Sequence, residues 1–378
     1  MAYDLILKGG RVIDPSEDVD AIQDVAFKDG KVAAVGKRLE AKGAEVRDVA
    51  GLIVTPGLID LHTHVYWGGT SLSIDAEDFC RRSGVTTAVD TGSAGPGNFA
   101  GFRRHVIDRS EVRILAYLHV SHAGIWGFHR NVMVGESANV DLLDPKMAVE
   151  VAEANRDVIV GIKIRVCRHA SGDQGIAPLK IALEVAEATG LPLMAHVGEA
   201  PPTYREVVSL LRPGDVLTHA FRPFPNAAVR MQGAIWPEVS EARQRGVLFD
   251  IGHGMGSFAF KTARSMLANG FLPDTISSDI HILCLDGPAF DQVTTLSKFL
   301  CLGVSLPEVI RRSTVNAALA LRRPELGTLR PGSVGDATVL TVEEGRFDYV
   351  DVEGEHMEGR QRIVSKGVVI AGSWWHPR

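Results

Sequence analysis

Two histidines one residue apart, His62 and His64, stand in the run GLIDLHTHV. Strand side chains alternate, so both imidazoles leave the same side of one strand. Imidazole is a common ligand of divalent metals. An HxH pair alone is explained as well by hydrogen-bonded core residues. Downstream, other apolar runs also end on polar groups: Lys163 in VIVGIKIRV, His196 in LPLMAHVGE, His219 in GDVLTHAF and Asp279 in DTISSDIH. Five segments that each close on such a group are hard to explain as core packing. Converging at one place, they form a site for a divalent metal. Lys163 is the unusual member, because a bare ammonium among β-branched residues is costly. It can pair with a carboxylate, reach solvent, or carry carbon dioxide as a carbamate with two oxygens able to bridge two metal ions. Spacing leaves these open.

A barrel would bring the groups together. From about residue 54 to 325, apolar runs alternate with amphipathic segments such as PKMAVEVAEANR, PLKIALEVAEATG, EVSEARQRG and FKTARSMLANG. Their apolar residues recur at three- and four-residue steps, and Gly often follows the last turn. With VTTAVDTG, RILAYLHVSH and GVLFDIGHG there are eight such runs, which predicts an α/β fold, a (β/α)8 TIM-like barrel closed by one helix over SLPEVIRRSTVNAALAL. Residues at the C-terminal ends of barrel strands face the active site. Both chain ends are strand-rich instead: LILKGGRVI, IQDVAFKDG, KVAAVG and EVRDVAG at the start, DATVLTV, RFDYVDV and RIVSKGVVIAGSWW at the finish. These ends, 1–53 plus 326–378, are expected to pair as a small β-sandwich domain beside the barrel of 54–325.

Composition narrows the partners. The 378 residues are 45% hydrophobic and 23% charged, with a net charge of −6 and no basic block. That gives no reason to expect a nucleic-acid partner. Cys80, Cys167, Cys284 and Cys301 lack CxxC spacing and read as buried free thiols in a reducing compartment. The start, MAYDLILKGGRVID, is charged within eight residues and has no long apolar run. A cytoplasmic enzyme without signal peptide or membrane span is expected.

The run VTPGLIDLHTHV, followed in order by GIKIRV, LMAHVGE, DVLTHAF, SSDIH and LGTLRPGSVGDATVL, resembles the amidohydrolase superfamily over essentially the whole chain. It is most similar to the dihydroorotase, hydantoinase and allantoinase side, within the dihydroorotase-like amidohydrolase/deacetylase group. The resemblance implies that His62, His64 and Asp279 hold a first metal and His196 and His219 a second, bridged by carboxylated Lys163. It further implies a hydroxide shared by metals about 3.5 Å apart, with Asp279 moving its proton from attacking water to leaving group as general base and acid. Zinc suits the histidine-rich set best, and manganese, cobalt or iron also fit. Barrels of this type often self-associate, so a homo-oligomer acting on a small molecule is expected.

The substrate must be argued from the pocket. Dihydroorotase-type relatives commonly carry an arginine soon after the HxH pair. Here the chain continues Val65-Tyr66-Trp67-Gly68-Gly69, which argues against true dihydroorotase activity. Tyr66 and Trp67 offer an aromatic wall or a phenol donor. His122, Arg165 and His253 are further candidate substrate contacts, with Arg168 and His169 nearby; a guanidinium there suits a carboxylate. His281 reads as a support to the ligands, and Gly92, Gly95 and Gly97 as a flexible loop without a phosphate fingerprint. The expected reaction is cleavage of an ester or amide, an acetyl group above all, on a small carboxylate-bearing molecule. Cyclic-amide hydrolysis is the nearer alternative and a non-catalytic scaffold the more distant one.

Overall fold

The computed structural model describes residues 3–375. Strands β1 (Leu5–Asp14), β2 (Val19–Lys28), β3 (Lys31–Gly36), β4 (Glu45–Asp48) and β5 (Ile53–Pro56) come first. Parallel strands β6 (Leu58–Thr63), β7 (Val85–Thr91) and β8 (Arg113–His119) follow. A small hairpin, β9 (Phe128–His129) and β10 (Val132–Met133), precedes the parallel strands β11 (Ile159–Val166), β12 (Leu193–Val197), β13 (Val216–Thr218) and β14 (Leu248–Phe249). The chain ends with β15 (Ala337–Val350), β16 (His356–Ile370) and β17 (Ser373–Trp375).

Both chain ends share one eight-stranded sheet, ordered β17-β16-β15-β5-β1-β2-β3 with β4 also on β1. The join is antiparallel, with Val339 opposite Val54. Leu7, Val12 and Phe27 pack there with Ala337, Val339 and Val369. DATVLTV and RFDYVDV, read as separate strands, form the single strand β15. A register shift between Glu344 and Phe347 absorbs the polar break, so pairing with β16 continues past it.

The seven parallel strands run in the order β14-β13-β12-β11-β8-β7-β6. The eighth apolar run makes no regular strand. Its Thr275 forms a parallel bridge to Asp250 and its Ile280 one to Thr63, so the segment reaches both sheet edges. Two features interrupt its ladder: Asp279 has a left-handed backbone at φ 48°, and the Ser278 N–H donates to the Asp60 carboxylate. Helices pack on the sheet as the patterns indicate, over Pro145–Ala154, Ala177–Thr189, Pro237–Arg245 and Phe260–Ala268. Their starts and stops follow local rules: Asp144 caps one N-terminus, and Gly190 ends another at φ 65°.

The expected closing helix is two helices, Leu306–Arg312 and Val315–Ala320. The Arg312 and Ser313 carbonyls accept from the N–H groups of Ile276 and Ile59, which ties the break to the sheet. The second helix then sets Ala317, Ala318 and Leu321 against Ile59, Leu61, Tyr117 and Met194. That apolar plug leaves the opposite end of the sheet for polar groups. Among the described residues, no helix is long and apolar enough to cross a membrane.

Gly57 joins the two sheets, its N–H donating to Asp336 O. A Cβ there would stand 2.2 Å from Thr86 Oγ1 and 2.8 Å from Asp336 Cβ. Gly57→Ala should therefore cost about 1–3 kcal/mol through overpacking. Thermal unfolding checks this, and an unchanged midpoint would show that the junction yields freely.

Candidate active site

A bulge aims the first two histidines. Asp60 pairs with Ala88 and Thr63 with Asp90, so β6 uses three residues where β7 uses two. The extra residue lets Leu61 stay in the apolar plug while His62 faces the site. His62 Nδ1 lies 2.8 Å from Thr218 Oγ1, and that hydroxyl donates its only proton to Asp250 Oδ2 at 2.8 Å. The hydroxyl must therefore accept from Nδ1–H, which leaves Nε2 with a free lone pair. His219 reaches the same state by another route. Its Nδ1 is 2.7 Å from the Gly252 carbonyl, which can only accept, so its Nε2 is also bare.

The His62 lone pair meets a carboxylate. Asp279 Oδ1 stands 3.3 Å from His62 Nε2 and 3.2 Å from His64 Nε2. The His62 nitrogen and the Asp279 oxygen are both acceptors, and they repel unless a cation lies between them. One donor atom each from His62, His64 and Asp279 lies within 4.8 Å of the others, and all three residues are buried. The chemistry and spacing of this set fit a divalent ion. Lys163 Nζ is 3.2 Å from His62 Nε2. The His196 ring lies 4.4 Å from that of His219, centroid to centroid, and His219 lies 5.2 Å from His62. All six residues expected as metal ligands therefore line one cavity of about 270 Å³.

Electrostatics keep the cluster ready for metal. Burial pushes the imidazoles of His62 and His64 well below their ordinary pKa, and the Lys163 charge adds to the effect. Burial does the same at His196, helped by His219. It takes His219 to about 3, although Asp279 pulls the other way. Neutral imidazoles are the ligating form at neutral pH. Burial also lowers Lys163 to about 7 against the pull of Asp279, which frees an amine lone pair near neutrality.

Buried carboxylates hold the frame. Asp250 accepts from Thr218, Thr275 and Ser277 hydroxyls. Asp90 takes the N–H groups of Val65 and Ser93, while Ser93 Oγ is 2.9 Å from His64 Nδ1. Asp60 takes both the N–H and the hydroxyl of Ser278, fixing the residue before Asp279. Gly254 presses on Asp279 from the other side: a Cβ there, at φ 52°, would lie 2.2 Å from Asp279 Oδ2.

The sequence-based substrate contacts separate. Arg165 lines the cavity, with Nη1 3.3 Å from Glu136 Oε2 and the guanidinium 5.0 Å from the Phe128 ring centroid. Tyr66 instead packs on Phe102, and Trp67 is largely exposed. His122 sits half-exposed beside Asp144. His253 is buried, stacked on Phe258, with Nε2 2.7 Å from Lys298 Nζ. That lysine also donates to the carbonyls of Pro288 and Val350, at 2.7 Å each. None of Tyr66, Trp67, His122 and His253 lines the cavity. Cys80, Cys167 and Cys284 are buried and all four cysteines are free.

Other residues around the site carry weaker sequence signals. Glu136, from the loop after the hairpin, is buried between Arg165 and His119. Burial raises its carboxyl, but Arg165 and His119 outweigh that and hold it below the usual range. Nothing in GESANV marks that glutamate. His281 lines the cavity, and its Nδ1 accepts from the Leu283 N–H. Its Nε2 therefore carries the proton, which suits a hydrogen-bond donor rather than a metal ligand. Arg222 and Glu199 also face the cavity; each lies three residues past a histidine, a spacing too loose to single them out.

No protein-family model matches the chain. It is 35% identical over 341 residues to a deacetylase of Brucella anthropi, covering 90% of this chain and 84% of that one. A deacetylase of Enterococcus faecalis is 30% identical over 380 residues, covering 98% and 99%. Among solved structures, an adenine deaminase superposes with TM-score 0.91 at 29% identity, and a dihydroorotase with 0.90 at 33%. Each of these covers 99% of both chains.

Thr218 transmits the Asp250 charge to His62 and sets its tautomer. Thr218→Val should weaken divalent-metal affinity by about 10–100-fold, measured by competition with a chromophoric chelator. Wild-type affinity would show that the hydroxyl does not orient His62.

Proposed function

The chain belongs to the amidohydrolase superfamily, on its dihydroorotase-like side, and from that premise we propose that it removes an acyl group, acetyl above all, from a small carboxylate-bearing molecule. The observation that carries this reading is the convergence of bare imidazole nitrogens, Lys163 and Asp279 on one cavity. Deacetylases 30–36% identical over most of the chain support the choice of acyl group.

The same reading takes residues 54–325 as a (β/α)8 barrel and residues 1–53 plus 326–378 as a small β-sandwich domain. The bridges from Thr275 and Ile280 to opposite sheet edges support closure of the barrel. His62, His64 and Asp279 would hold one divalent ion, and His196 and His219 a second. Lys163 would span both after its amine adds to carbon dioxide and loses one proton; burial, which lowers its pKa to about 7, favours the free amine. Zinc suits this nitrogen-rich set best. Bound divalent ions supply Lewis acidity, which acidifies water and polarises a carbonyl.

The chain's own groups do the rest. Asp279 takes a proton from the attacking water and returns it to the leaving oxygen or nitrogen. Its left-handed backbone, the Asp60–Ser278 bonds and the close approach of Gly254 hold it for that transfer. His281 Nε2–H points a donor from the cavity wall, and the Phe128 face helps to keep water from the reacting bond.

Ring-opening is the second reading, favoured by the dihydroorotase superposition at 33% identity. Against it, Val65-Tyr66-Trp67 follows His64, with no arginine to grip dihydroorotate. Metal-replete protein should cleave O-acetyl α-hydroxy acids and N-acetyl α-amino acids faster than dihydroorotate or hydantoins. A substrate panel with the reverse order overturns the acyl assignment. Chelation should abolish turnover and added zinc restore it, read in the same assay; undiminished turnover of metal-free protein would remove the metal from the reaction. Asp279→Asn should lower kcat by about 10²–10⁴-fold without disturbing far-ultraviolet circular dichroism. Full activity in that variant excludes Asp279 as the proton carrier.

A further inference from the structure

Two arginines line the cavity, and their surroundings differ. Arg165 is matched by Glu136, which is only 1% exposed and has His119 Nε2 3.5 Å from its other oxygen. Its guanidinium also rests on Phe128. Its charge is thus neutralised by a carboxylate that water barely reaches, and its plane is fixed. Arg222 is equally buried, at 3% exposure. Its Nη1 donates to the Asn226 carbonyl at 2.7 Å, and its Nε is buried without any hydrogen-bond partner. Its carboxylate neighbour is Glu199, 3.4 Å from Nη2. The Glu199 side chain is 54% exposed, so this contact, about as long as that of Arg165 with Glu136, is solvent-screened and replaceable. Glu199 leans also toward the exposed His169, at 3.8 Å. Arg222 stays beside the metal-ligand cluster because its N–H bonds back to the His219 carbonyl at 3.1 Å.

A buried guanidinium with an orphaned donor and a weak counter-ion is a poor structural element and a good anion receptor. We propose that Arg222 binds the carboxylate of the substrate, and that Glu199 is the stand-in anion that this carboxylate displaces. This rests on the acyl-hydrolase reading above. Arg165, already neutralised, shapes the wall and carries little of the attraction. The specificity follows from charge: an acylated acid supplies the anion that Glu199 supplies in its absence, whereas the matching carboxamide does not.

The test uses paired substrates on the metal-loaded protein: an O-acetyl α-hydroxy acid and its carboxamide, and the N-acetyl amino acid pair. Arg222→Gln should raise KM for the acids by about ten-fold or more, the worth of a charge-assisted hydrogen bond. KM for the carboxamides should stay within about two-fold on the same scale. Arg222→Lys should recover part of the loss, since the charge returns without the planar fork. Glu199→Gln should act oppositely, lowering KM for the acids by up to about five-fold. Binding of the deacetylated α-hydroxy acid, followed by calorimetry, should track the same order without turnover. Equal effects on acids and carboxamides, or a higher KM for the acids in Glu199→Gln, overturn the assignment. Should the parent protein cleave neither member of any pair, the acyl-hydrolase reading falls and this assignment with it. Should it cleave both while Arg222→Gln leaves the acids unchanged, only the role of Arg222 falls.

Discussion

A bare imidazole nitrogen facing a carboxylate oxygen in a dry interior is repulsive until a cation joins them. That constraint organises much of this molecule. The His62 tautomer, set by Thr218 and Asp250, turns a lone pair inward. The Gly252 carbonyl does the same for His219. Asp279 Oδ1 then faces the His62 lone pair at 3.3 Å, with His64 Nε2 at 3.2 Å beside it. The surrounding hydroxyl and amide donors are directed at Asp60, Asp90 and Asp250, three buried carboxylates that stabilise the frame rather than enter the cavity. Most of the polar groups beneath the site thus serve to hold lone pairs in an unfavourable arrangement that a divalent ion would relieve.

Irregular backbone delivers the geometry. The β6 bulge, the left-handed residues His219 and Asp279, and the bare bridges of residues 275–280 all depart from ideal strands. Such departures cost stability at each position. They are affordable where packing is dense, and the plug of Ala317, Ala318 and Leu321 under Tyr117 and Met194 supplies that packing at the opposite end. Rigidity from one end of the sheet supports strain at the other.

Sequence reasoning reached the six converging residues because each closes an apolar run, and a barrel places run ends on a common rim. It also read the pairing of the chain ends from their β-rich composition. It was weaker wherever a side chain acts from a loop. Tyr66 and His122 looked suitable by type, yet packing against Phe102 and proximity to Asp144 take them away from the cavity. Glu136, Glu199 and Arg222 are set by loop paths that no periodicity encodes. The expected single closing helix failed for a related reason: the acceptors that break it, at Arg312 and Ser313, answer donors on distant strands.

The paired chain ends also have a consequence for synthesis. Strand β5 is made long before its neighbour β15, with Val54 opposite Val339. While the ribosome is still making the central sheet, β5 has an unsatisfied edge, and the N-terminal strands wait as an incomplete sheet. Exposed strand edges of this kind invite mispairing until the native partner arrives. Lys298, gripping His253, Pro288 and the end-sheet residue Val350 at once, can complete its three contacts only after that late arrival. Assembly of the frame around the site therefore waits until β15 has been made, long after β5.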